Sequence, residues 1–198
     1  MKPFWLGVTG NIGSGKSTVS RILSELGAGV VDSDVEAHAM ANEDAEYRKA
    51  LTERFGQGLF RSDGTFDRPK FAQLLFGDAV AVSDFNAIIS SRLVARTRSK
   101  MNAHAAAGKP VVVLDGALIF EYGRHTDFNE VWLVTAEPEI VQERLHARGL
   151  SDEQIERRRA AQWDEAVKIP LASRIIKNNG TNEDLKKNVE KYWHSLPI

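Results

Sequence analysis

Short runs of apolar residues alternate along the chain with stretches in which apolar side chains recur every three or four positions. That alternation predicts βαβ units and a parallel sheet. The strands read as residues 4–8, 29–32, 111–114 with Asp115 at the end, 130–134 and 174–176. After the first strand, Val19, Ile22, Leu23 and Leu26 fall on one helical face, and Gly27 stands where the helix would end. Leu185, Val189, Tyr192, Trp193 and Leu196 form the apolar face of a closing helix. Thr181 and Asp184 have the spacing of a capping box at its start.

Two stretches interrupt the strand pattern. Residues 33–109 contain no convincing strand. Phe85, Ile88, Ile89 and Leu93 have helical spacing, Asp63-Gly64 marks a turn, and Asp67 followed by Pro69 marks a helix start. Residues 137–167 read as helical, charged and rich in arginine. The expected organisation is one α/β domain over 1–198. Its core comprises 1–33, 109–136 and 168–198, with a helical subdomain at 34–108 and a second helical insertion at 137–167.

Composition narrows the function classes. A chain of 198 residues buries a core without disulfides or structural metal, and it has no cysteine, in keeping with a reducing, cytoplasmic setting. A formal net charge of -1 argues against broad nucleic-acid binding. The longest apolar runs are too short to cross a bilayer, and the first residues read as a strand and not a signal peptide. The five histidines show no metal-ligand spacing.

The chemistry begins at Gly10-Asn11-Ile12-Gly13-Ser14-Gly15-Lys16-Ser17, a full match to G-x-x-x-x-G-K-[ST], with Thr18 following. The glycines let the backbone curl its N–H groups around an anion, and the next helix adds the positive end of its dipole. Lys16 reaches the β- and γ-phosphates of a nucleoside triphosphate such as ATP, and the Ser17 hydroxyl is a ligand for Mg²⁺. An apolar strand before the loop and an apolar-periodic helix after it supply the required context. The guanine and switch motifs N-K-x-D and D-x-x-G of GTPases are absent, as is the transporter signature L-S-G-G-Q. A short chain with its P-loop near residue 1 fits a small-molecule kinase, with the two insertions as acceptor receptor and lid.

Asp32-Ser33-Asp34 lies at the end of the second strand, where ligands of open α/β sheets bind. A carboxylate there can take the proton of an attacking hydroxyl. Asp34 is the first candidate and Asp32 the alternative. Ser33 with Glu36 also has the spacing of a capping box, a structural role compatible with catalysis by Asp34. Asp115 ends an apolar strand in the layout of a Walker B aspartate that holds the metal, or else is a strand-end turn residue. Arg144 and Arg148 share a helix face, and Arg157, Arg158 and Arg159 follow, with Ser151 and Gln154 as a capping box between them. Such guanidinium groups either stabilise the transferring phosphoryl or belong to a solvated charged helix, since Asp152, Glu153 and Glu156 are interleaved.

These features together resemble the dephospho-coenzyme A kinase family over nearly the whole chain. The matching pieces are G-V-T-G-N-I-G-S-G-K-S-T from Gly7, V-D-S-D from Val31 and D-G-T-F-D-R from Asp63. L-I-F-E from Leu118, G-L-S-D-E-Q from Gly149 and I-K-N-N-G from Ile176 complete the set. The resemblance implies a P-loop NTPase three-layer sandwich with a five-stranded parallel sheet, a helical coenzyme-A subdomain and a helical lid. It implies ATP, Mg²⁺ and dephospho-CoA as ligands, neither nucleic acid nor membrane as partner, and a monomer or small homo-oligomer. By the same resemblance Asp34 falls on the catalytic aspartate, Arg144, Arg148 and Arg158 on lid arginines, and Asn178 and Gly180 near the adenine of ATP. The chain departs from the family pattern at Ser90-Ser91, Ala117, Gly149 and Ser173-Arg174.

Overall fold

Strands buried on both faces need apolar side chains at nearly every position, which is why they read as continuous apolar runs. In the computed structural model, which describes residues 2–198, β3 (Val111–Asp115) is buried at every position. β4 (Glu130–Thr135) is buried at every position after the first. With β1 (Phe4–Thr9), β2 (Gly29–Asp32) and β5 (Arg174–Lys177) they form a five-stranded parallel sheet in the order β2-β3-β1-β4-β5. β1 and β4 each run one residue beyond the pattern, to Thr9 and Thr135, and β5 runs on to Lys177.

Alternate side chains on those strands feed two cores. Leu6, Val8, Val111, Val113, Trp132, Val134 and Ile176 pack against α1 (Lys16–Glu25) and α9 (Asn182–Trp193) through Val19, Ile22, Leu23, Leu185, Val189 and Trp193. On the opposite face Val31, Val112 and Leu114 meet Met101, and Val131 and Leu133 meet Ile119 and Phe120. The result is a three-layer α/β/α sandwich. α1 ends in a Schellman motif: the Gly27 N–H donates to the Ser24 carbonyl at 3.0 Å and the Ala28 N–H to the Leu23 carbonyl at 3.0 Å. α9 begins at the expected Thr181–Asp184 capping box but ends at Trp193, so Leu196 reaches the core from the turn beyond the helix.

The chain divides into two compact units: the described residues up to Val31 with Met101–Ile198, and Asp32–Lys100. The first unit includes α6 (Pro138–Ala147), α7 (Asp152–Ala160) and the short α8 (Glu165–Lys168). α7 starts at the Ser151–Gln154 capping box. Val141, Leu145 and Ile155 form a small core there with Ile12 against it.

The second unit is helical: α2 (Ser33–Glu43), α3 (Ala45–Phe55), α4 (Arg68–Leu75) and α5 (Ala79–Ala106), the last continuing past Lys100 into the first unit. Met40, Tyr47, Leu51, Leu59, Phe66, Phe71 and Ile89 form its own core. Asp67 caps α4 by accepting from the Lys70 N–H at 3.2 Å. One expectation fails at α2. Its cap is Asp32 and not Ser33, and Glu36 does not close a box but accepts from Arg96 Nε at 2.6 Å. The aspartate at the strand end already accepts from the first free amides, so the serine becomes the first helical residue.

Candidate active site

The loop between β1 and α1 is shaped by groups that no side chain could replace. Gly13 has φ 83°, and a Cβ there would lie 2.8 Å from Val141 Cγ1 on α6. Gly15 has φ 96°, and a Cβ there would lie 2.0 Å from Asn178 Nδ2. Asn178 is buried at the end of β5. Its Nδ2 donates to the Ser14 carbonyl at 2.7 Å, and its own carbonyl accepts from Arg144 Nη2 at 3.0 Å. Residues 13–15 are therefore clamped between α6 and the end of the sheet.

That clamp leaves anion-binding capacity unspent. α1 has Gly15 as its cap residue, no side-chain cap and no acidic residue in its first turn. α2, α3, α7 and α9 each carry both a side-chain cap and a first-turn carboxylate. The N-terminus of α1 thus keeps its positive potential. Ser14 Oγ and Arg144 Nη1 are buried without a partner among the described residues. Arg144 Nη1 lies 3.8 Å from where a Gly15 Cβ would stand. Donors of this kind suit a phosphate chain.

Asp115 is registered beside Val8 on the neighbouring strand and is 1% exposed. Its carboxylate pairs with the Lys16 ammonium. One buried charge is compensated by the other, and the β3 aspartate comes to the mouth of the loop. Ser17, next along α1, is exposed. A serine hydroxyl and a carboxylate are hard oxygen donors. Mg²⁺ is commonly held by one or two such protein oxygens together with phosphate and water, so this donor set fits that ion. Among the described residues no group of three or more His, Cys, Asp or Glu forms a metal cage.

The remaining predicted residues separate into those drawn to the loop and those left open. Arg144 lies beside it, as above. Arg148, the cap residue ending α6, and Arg158 on α7 are exposed and have no ion partner among the described residues, whereas Arg159 pairs with Glu156 and Arg157 with Glu153. Gly180 is exposed at the turn before α9. In the second unit, Asp32 Oδ1 accepts from the Asp34 N–H at 2.8 Å and the Val35 N–H at 3.1 Å. Capping occupies Asp32, while the Asp34 carboxylate is exposed and accepts no hydrogen bond among the described residues.

Sequence reasoning missed a set of groups that grip Asn11 and Ile12 of the loop. Lys168 Nζ donates to Asn11 Oδ1 at 2.7 Å and pairs with Glu121 at 2.6 Å, with its side chain fully buried. Gln162 Oε1 accepts from the Ile12 N–H at 2.9 Å. The only signal for Lys168 was a lone cation inside the otherwise apolar run Ala166 to Leu171.

A phosphate-binding loop on the central strand, a strand-end acid beside it, and arginines on helices carried by the same unit define the chain as a P-loop protein of the small-molecule kinase type. The family model described as dephospho-CoA kinase matches residues 4–184, and the chain belongs to that family. It is 36% identical over 191 residues to a Dephospho-CoA kinase of Symbiobacterium thermophilum, covering 96% of this chain and 80% of that one. The corresponding enzyme of Geobacter sulfurreducens is 35% identical, with 95% and 96% covered. A crystal structure from Thermus thermophilus superposes with a TM-score of 0.80 at 32% identity, covering all of both chains. A shikimate kinase from Bacteroides thetaiotaomicron shares the fold at TM-score 0.53 and 15% identity, with 98% and 99% covered.

Proposed function

We propose that the protein is a dephospho-CoA kinase, transferring the γ-phosphoryl of ATP to the ribose 3′-hydroxyl of dephospho-CoA. Family membership supports the reaction, and one observation carries it to the residues: the Lys16–Asp115 pair at the mouth of a loop with uncapped donors. Amides of 10–18 cradle the phosphates, and Lys16 turns from Asp115 to the β- and γ-oxygens as the nucleotide arrives. Ser17 and the released Asp115 would hold Mg²⁺, which neutralises charge on the β- and γ-phosphates.

Asp34 accepts the proton of the attacking hydroxyl, its carboxylate being spared the capping role that Asp32 fills. Arg144 Nη1 has a free donor beside the loop, and Arg148 and Arg158 bring unpaired guanidinium groups to the transferring phosphoryl. Asn178 secures the Ser14 carbonyl at the end of β5, and the exposed Gly180 beyond it lies near the adenine, as the family pattern implies. Residues 34–108 receive the acceptor and 137–167 close as the lid.

A panel of acceptors with labelled ATP tests the reading, and it is pointed because Ser90-Ser91 and Ala117 differ from the family pattern. Transfer to dephospho-CoA with the phosphate at the 3′ position is expected. No transfer to it beside clear transfer to another nucleoside or nucleotide would move the assignment to a different kinase.

A further inference from the structure

Lys168 has no exposed side-chain surface, yet it carries a charge that burial penalises heavily. Its two partners account for that charge. Glu121, which follows β3, supplies the counter-ion at 2.6 Å, and Asn11, the second residue of the phosphate loop, supplies an acceptor at 2.7 Å. The same two partners grip the segment from which the lysine comes. Glu121 Oε1 accepts from the Trp163 N–H at 3.0 Å, and Asn11 Nδ2 donates to the Trp163 carbonyl at 3.3 Å. Gln162, one residue earlier, accepts from the Ile12 N–H at 2.9 Å. Three bonds at Asn11 and Ile12 therefore run to residues 162–168.

Position distinguishes this set from ordinary packing. Asn178 holds the loop at Ser14, next to α1, and the lysine network holds it at Asn11, next to β1. A carboxylate and an amide oxygen are both acceptors and cannot satisfy each other; the buried ammonium between them donates to both. The trio closes only when Asn11 of the loop, the turn that follows β3 and the stretch after α7 are all in place.

We propose that Lys168 is a positioning residue for nucleotide binding: with Glu121 it fixes Asn11 and so holds the β1 end of the phosphate loop in its binding curl, tying it to the return of the 152–168 helices. The proposal rests on the nucleotide-binding reading above but not on the identity of the acceptor. Its consequence is that affinity for ATP depends on a side chain too deeply buried to touch solvent-borne ligand.

The test measures binding of a non-hydrolysable ATP analogue with Mg²⁺ by calorimetry, beside the melting temperature. Removing Lys168 alone would strand Glu121 and confuse folding with binding. The variants are therefore K168M/E121Q, which removes both charges, N11A, which leaves the ion pair intact, and their combination. Each of the first two is expected to bind about tenfold more weakly, the worth of one charge-assisted hydrogen bond. The combination is expected to lose clearly less than the product of the two losses, because both remove the Lys168–Asn11 contact, while the Asn11–Trp163 bond is lost only with Asn11. N11A is expected to melt somewhat below the parent, since it takes one acceptor from a buried ammonium, but to stay folded at the temperature of the titration. Parental affinity in N11A, or in K168M/E121Q where it folds, overturns the proposal, as does a combined loss equal to the product of the two. Should the parent itself fail to bind the analogue, the nucleotide-binding reading fails first, and that result stands apart from any variant.

Discussion

At the scale of single residues, the two aspartates of V-D-S-D are separated by what their carboxylates already do. Asp32 accepts two amide hydrogen bonds at the start of α2, and Asp34 accepts none among the described residues. Asp34→Asn is therefore expected to leave folding and ATP affinity unchanged and cut turnover by about 10²-fold or more, read by steady-state kinetics beside calorimetric titration. Asp32→Ala should instead lower stability by about 1 kcal/mol through the lost cap, seen in urea unfolding. Reversal of the two effects would hand catalysis to Asp32. Lys16→Ala removes the phosphate-bridging cation and takes the ammonium partner from the buried Asp115, so loss of most activity is expected together with a lower melting temperature. The motif made Lys16, Ser17 and the glycines legible because backbone curl and residue type are coupled there. The roles of Asn178 and Lys168 were not legible as they stand, because each depends on a contact more than 150 residues away in sequence.

At the scale of elements, strands and helices could be read wherever one period ran uninterrupted, and errors gathered at ends, where a cap competes with its neighbours. Ser33 lost the cap to Asp32, and α9 stopped before Leu196. The departure at Ser173-Arg174 finds a local reason at the β4–β5 edge. Arg174 donates from Nε and Nη2 to the two oxygens of Glu130, at 2.7 and 2.9 Å, and Ser173 Oγ accepts from the Val131 N–H at 3.0 Å. The bidentate guanidinium, helped by the Trp132 indole N–H, holds the Glu130 carboxyl below its ordinary value of 4.5. A carboxyl whose value is lower in the folded state stabilises the fold above that ordinary value. The contribution is lost as pH falls through the folded value. Thermal melts should therefore show a drop in stability below about pH 4.5 that is shallower in Glu130→Gln, and identical slopes would mean the pair contributes nothing.

At the scale of the whole molecule, each unit has its own core, and the helical one, Asp32–Lys100, lies within the stretch of about eighty residues between β2 and β3 whose apolar positions follow helical periods. Because ligand binding adds to the stability of the form that binds, Mg-ATP at a hundred times its dissociation constant should contribute about 2.7 kcal/mol, or roughly 5–10 °C in melting temperature. Lys16→Ala should show little of that shift. Of the four tryptophans, Trp132 and Trp193 are buried and Trp5 is half-buried, while Trp163 is 43% exposed and bonded through its backbone to Asn11 of the phosphate loop. The molecule thus carries an intrinsic optical gauge. Iodide should quench mainly that indole, and a nucleotide that stiffens the loop should change its emission and its accessibility together. Occupancy could then be followed in a stopped-flow cuvette without attaching a dye.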